Sequence, residues 1–79
     1  MNEYYVLQHE DGRIVAVIKG FDRKSILIAI SEETGADHTS ITNEITPPDW
    51  GEKSTIYSDV WENNESNEYV FDLTKTIMY

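Results

Sequence analysis

The sequence predicts an α+β fold: one helix packed on an antiparallel sheet of four or five strands, in two layers and in the order β-β-α-β-β-β. Three observations carry that prediction. Two β-prone runs meet at Asp11-Gly12, a helix-length span at 23–34 is bracketed by a capping residue at either end, and residues 69–79 alternate in polarity. All 79 residues, 9.1 kDa in mass, fit one domain, 1–79.

Residues 4–10 and 13–19 flank Asp11-Gly12, a dipeptide suited to a two-residue turn with positive φ at both central positions. Such a turn sets Glu10 opposite Arg13, His9 opposite Ile14, Leu7 opposite Ala16 and Tyr5 opposite Ile18. Side chains alternate across a strand, so Tyr5, Leu7, Ile14, Ala16 and Ile18 form the expected core face. Tyr4, Val6, Val15 and Val17 fall on the opposite face. Gly20 ends the hairpin. Asp22 is placed to cap a helix, Phe21 and Ile26 to staple its first turn, and Gly35 to close it in the left-handed conformation. Ile26, Leu27 and Ile30 make the buried stripe of that helix, widened by Ile28 and Ala29. Arg23 and Lys24 lie at the positive end of its dipole and Glu32 and Glu33 at the negative end, so tertiary packing must hold it.

Ile41, Asn43 and Ile45 alternate with polar residues, which predicts a short strand over 40–46 stopped by Pro47-Pro48. Asp49-Trp50-Gly51 reads as a turn. A strand over 54–61 places Ile56 and Val60 on one side, Tyr57 and Trp61 on the other, and 62–67 reads as a polar loop. In the last strand Tyr69, Phe71, Leu73, Ile77 and Tyr79 share a face interrupted by Lys75, and the strand's length leaves room for a bulge near Thr74-Lys75.

Composition narrows the chemistry. Without cysteine there is neither a disulfide framework nor a thiolate metal site. Residues 1–5 lack the basic start and apolar run of a secretory signal, and the apolar run Ile26–Ile30 is too short to cross a bilayer. The expectation is a cytoplasmic protein that makes no membrane contact. His9 and His38 have no metal-ligand spacing, and the acidic run from Glu62 to Glu68 lacks the central glycine of a calcium loop. There is no Gly-x-Ser-x-Gly elbow and no phosphate-cradling glycine run. Asp59 with Glu62 or Asp72 is chemically capable of acid–base work, but acids are too numerous for one pair to stand out. No cofactor, metal or catalytic residue is expected, with a small metal-binding or enzymatic domain as the minority alternative.

Six Lys and Arg against fifteen Asp and Glu give a net charge of -9, which disfavours direct contact with nucleic acid. Residues 1–35 carry six acids and four bases, net -2, whereas 36–79 carry nine acids and two bases, net -7. Excess acid keeps small proteins apart in solution, and it also steers a chain toward basic surfaces. The sequence therefore reads as a small acidic, non-catalytic protein-binding module. Its expected interface combines Tyr4, Val6, Val15 and Val17 on the sheet face left open by the helix, the aromatic anchors Trp50 and Trp61, and the acids Asp59, Glu62, Glu65, Glu68 and Asp72. The segment 36–53 and a second copy of the chain are alternative covers for that face, the latter giving a homodimer. A sharper alternative is an inhibitor whose carboxylates imitate phosphates and block the basic groove of a nucleic-acid-binding protein. In charge and size the chain is similar to phage and mobile-element anti-restriction and anti-CRISPR proteins, a likeness carried by composition alone.

Overall fold

The computed structural model describes residues 2–44 and 53–78. Strands β1 (Asn2–His9) and β2 (Ile14–Lys19) precede helix α1 (Arg23–Thr34); a 3-10 turn (His38–Ser40) then leads to β3 (Ile41–Glu44), β4 (Lys53–Glu62) and β5 (Glu65–Met78). The strands form one antiparallel sheet in the order β2-β1-β5-β4-β3, and α1 packs against one of its faces, an α+β arrangement.

The pairing around β5 is staggered. β1 pairs with residues 71–78 and β4 with 65–74, so only 71–74 have a strand on both sides. The core sits at that overlap: Phe71, Leu73, Leu7 and Ile56 pack with Ile26 and Ile30 of the helix, all fully or almost fully buried. Twelve helical residues reach about 18 Å, against about 46 Å for the 14-residue β5. The helix is therefore too short to shield the whole of the long strand. Towards the end of the strand Ile77 is 44% exposed, whereas the Lys75 side chain is largely buried, its ammonium 3.1 Å from the Glu3 carboxylate.

Helix ends follow from single residues. The Asp22 carboxylate accepts the Lys24 N–H and the Ser25 hydroxyl, each at 3.0 Å. Gly35, at φ 76°, donates its N–H to the Ser31 carbonyl at 2.9 Å. The first turn holds no acid and the last turn no base, so the capping carboxylate of Asp22 is left to offset the dipole at the N-terminal end. Of the apolar run, Ile26 and Ile30 are buried, Leu27 and Ala29 half-buried, and Ile28 is 41% exposed. Phe21 meets Tyr5 edge-on, ring centroids 6.4 Å apart.

The first hairpin departs from the expected two-residue turn. Gly12 has a positive φ of 89° but Asp11 does not; the Gly12 N–H donates to the His9 carbonyl at 2.8 Å and the His9 N–H to the Arg13 carbonyl at 2.9 Å. This is a three-residue loop, Glu10-Asp11-Gly12. Its cause is the Asp11 carboxylate, which accepts the Arg13 N–H at 2.8 Å and ties the chain one residue further along. Gln8, not His9, then pairs with Ile14, and a bulge at Val15 restores Leu7↔Ala16 and Tyr5↔Ile18. Two side chains change places. Ile14, expected in the core, stands 63% exposed on the opposite face, and Val15, expected on that face, packs against the core.

A two-residue turn with both φ values positive occurs instead in the second hairpin, where Asn63 (φ 52°) and Asn64 (φ 64°) link the pair Glu62↔Glu65. The stretch 62–67, expected to be a polar loop, is therefore strand and tight turn. β3 starts at Ile41 rather than at residue 40, because the Asp37 carboxylate accepts the Thr39 N–H at 3.0 Å and winds 38–40 into the 3-10 turn. Residues 45–46, the stop at Pro47-Pro48 and the turn around Asp49-Trp50-Gly51 lie outside the described residues. The register with β1 runs unbroken through Thr74 and Lys75, and that with β4 runs unbroken to its end at Thr74; the bulge belongs to the first hairpin.

Candidate functional site

Alternation along β4 divides its side chains sharply. Ile56, Ser58 and Val60 are buried on the helix side, while Tyr57 and Trp61 are each 53% exposed on the other, with Asp59 between them. Tyr57 and Trp61 stand about 13 Å apart along the strand. The register brings Val70 opposite Tyr57, Glu68 opposite Asp59, Ser66 opposite Trp61 and Asp72 opposite Thr55, whose hydroxyl donates to the Asp72 carboxylate at 2.9 Å. At the other end of this face lie Tyr4 and Val6, half-buried, and Val17 and Ile14, 56% and 63% exposed. Among the described residues, no element lies over this face of the sheet.

The expected interface residues are thus divided. Tyr4, Val6, Val17, Trp61, Asp59, Glu68 and Asp72 share the open face. Val15 is turned into the core by the bulge. Glu62 and Glu65 face each other at the hairpin end, on the helix side of the sheet, so the acids do not line one surface. Trp50 lies outside the described residues. Tyr57 and Ile14 join the face although neither was among the expected interface residues. Tyr57 shares the parity of Trp61, a signal present in the sequence. Ile14 reaches the face only because the Asp11 side chain sets the turn.

Asp59 and Glu68 are both exposed and directly opposite, an arrangement of like charges that destabilises a sheet by roughly 0.2–1 kcal/mol. Among the described residues no ion pair reaches either one; Arg13 pairs with Glu33 and Asp11, and Lys75 with Glu3. The face offers aromatic surface, carboxylates and hydroxyls.

The imidazoles lie elsewhere. His9 packs edge-on against Phe71, centroids 5.5 Å apart, with Nδ1 buried and 3.8 Å from the Asp11 carboxylate. His38, exposed, has Nδ1 3.8 Å from Asp37. The Asp37 carboxyl is held below its ordinary value of 3.8 by the N–H of Thr39, then by the Thr39 hydroxyl and by His38. Among the described residues no three His, Asp or Glu side chains converge as a metal site, and no helix is long and apolar enough to cross a membrane. Two grooves flank α1. One of about 390 Å³ runs between the helix and β2; another of about 320 Å³ lies over Leu27 and Ile28, rimmed by Arg23, Lys24 and His38.

No known protein family, curated protein or solved structure matches this chain.

Proposed function

We propose that the chain is a non-catalytic, acidic protein-binding module whose open sheet face receives a partner with a basic surface. One observation supports this reading above the rest: Asp59 stands against Glu68 between the exposed rings of Tyr57 and Trp61. An isolated sheet is weakened by that pairing, whereas a lysine or arginine seated between the carboxylates meets two acceptors at once. Exposed Trp and Tyr flanking the charges supply the apolar contact area that dominates binding hot spots. The net charge of -9 adds steering toward a basic partner. Phosphate mimicry draws less support, because Glu62 and Glu65 point away from Asp59, Glu68 and Asp72 and break any single row of carboxylates.

The test is affinity capture from the native host with the chain as bait, run in parallel with Trp61→Ala, Asp59→Lys and a helix-side control, Ile77→Lys. A protein retained by the wild type and the control but lost by both open-face variants supports the reading. A captured set indifferent to both open-face substitutions overturns it.

A further inference from the structure

We infer that the groove over Leu27 and Ile28 binds a small organic carboxylate, its apolar body laid on those two side chains and its charge held at the rim by the Lys24 ammonium, beside Arg23 and His38. This goes beyond the open-face reading and rests on a different surface, the flank of α1.

Helical spacing builds the groove. Arg23 and Leu27, like Lys24 and Ile28, are four residues apart on α1, so each pair meets on the helix surface, the apolar chains leaning toward the first turn. His38, in the 3-10 turn that packs back against α1, closes a further side. The volume of about 320 Å³ is at the small end of ligand sites, which run from about 300 to 1,000 Å³, and suits a body of roughly ten non-hydrogen atoms. Two features of this patch work against folding alone. Ile28 is left 41% exposed, and Arg23 and Lys24 occupy the first turn, where a cation opposes the helix dipole. Such departures from local preference are expected at functional surfaces.

Charge selects the occupant. In a chain of net charge -9, this groove is rimmed by two bases and an imidazole, and no acid among the described residues lines it. The acids next to it in sequence are held by other groups: Asp22 accepts the Lys24 N–H and the Ser25 hydroxyl, and Asp37 accepts the N–H and hydroxyl of Thr39. Among the described residues no ion pair includes the Lys24 ammonium. Because Asp22 already caps the helix, side chains and not the helix end receive the anion. The acids of β4 and β5 weigh on the site only within the screening length, about 8 Å at physiological ionic strength. A cation meets like charge at the rim, and a neutral apolar molecule leaves the rim unused. A carboxylate with an apolar body satisfies both rim and floor.

Amide NMR titration of the intact chain tests this with octanoate, octanol and octylammonium, one chain length carrying three different charges. Octanoate is expected to give saturable shifts centred on Leu27, Ile28 and His38, with a Kd of about a millimolar or tighter. Octanol and octylammonium are expected to bind there about fivefold more weakly or worse. Lys24→Glu is expected to weaken octanoate about fivefold or more, because an attraction becomes a repulsion. That variant should melt no lower than the wild type, since glutamate suits the first turn of a helix, so its lost binding is not lost fold. Ile28→Gln, at an exposed helix position, removes part of the floor and is expected to weaken octanoate by a similar factor. Octanoate that leaves Leu27, Ile28 and His38 unshifted at about 10 mM overturns the inference. So does equal binding of the three probes, or an octanoate affinity indifferent to Lys24→Glu.

Discussion

Replacing Asp59 by lysine separates the stability of this sheet from its proposed use. Asp59 is exposed on β4, directly opposite Glu68 on β5, and the substitution turns a repulsive cross-strand pair into an attractive one. Opposed like charges cost roughly 0.2–1 kcal/mol and opposite charges return a similar amount, so the variant should gain about 0.5–1.5 kcal/mol. For a domain of this size, about 1 kcal/mol corresponds to a Tm rise of some 4–8 °C. Thermal melting followed by circular dichroism reads this directly. Because both groups are solvent-exposed, the gain should shrink in 1 M salt, where the Debye length falls to about 3 Å. The same variant should lose the partner captured by the wild type. A Tm unchanged or lowered at low salt refutes the reasoning, since it means that the carboxylates do not oppose each other across the strands.

Three further expectations follow from other parts of the fold. Phe71→Ala empties the fully buried centre of the core and should cost about 3–5 kcal/mol in urea unfolding, a large share of the roughly 5–15 kcal/mol typical of a domain. Gly12→Ala meets no atom within 4 Å of the new Cβ, yet its φ of 89° penalises any side chain; a loss of about 1–2 kcal/mol is expected, and a neutral result would contradict the three-residue loop. The lowered Asp37 carboxyl contributes stability that is complete above its ordinary value of 3.8 and is lost as pH falls through its lower native value. Acid titration of Asp37→Asn should therefore lack that part of the acid-side decline, while matching the wild-type pH dependence above it.

Much of the fold is legible where one residue decides one feature. Asp22 and Gly35 announce the helix ends because a carboxylate and a left-handed glycine satisfy groups that the helix itself leaves open. Ile56 and Val60 against Tyr57 and Trp61 reveal the two faces of β4, since a strand has a period of two. The turns resist such reading. Asp11-Gly12 suits two loop lengths, and the choice rests on a hydrogen bond from Arg13 to the Asp11 side chain that no periodicity encodes. That one bond exchanges the faces of Ile14 and Val15 and so alters the candidate site itself. Taking Asn63-Asn64 as part of a loop likewise hid the facing of Glu62 and Glu65, which becomes fixed only once both asparagines adopt positive φ. Lys75 and Ile77 share the apolar parity of β5, yet Lys75 reaches the Glu3 carboxylate and Ile77 is 44% exposed, differences that a period of two does not encode.

The central claim is that Tyr57 and Trp61 stand exposed on a face of the sheet over which none of the described elements lies. Hydroxyl-radical footprinting of the purified chain tests it most directly. The account predicts rapid oxidation of Tyr57 and Trp61, near the rates of the urea-unfolded chain, with Tyr5 and Phe71 strongly protected. Protection of Tyr57 and Trp61 comparable to that of Phe71 would contradict it.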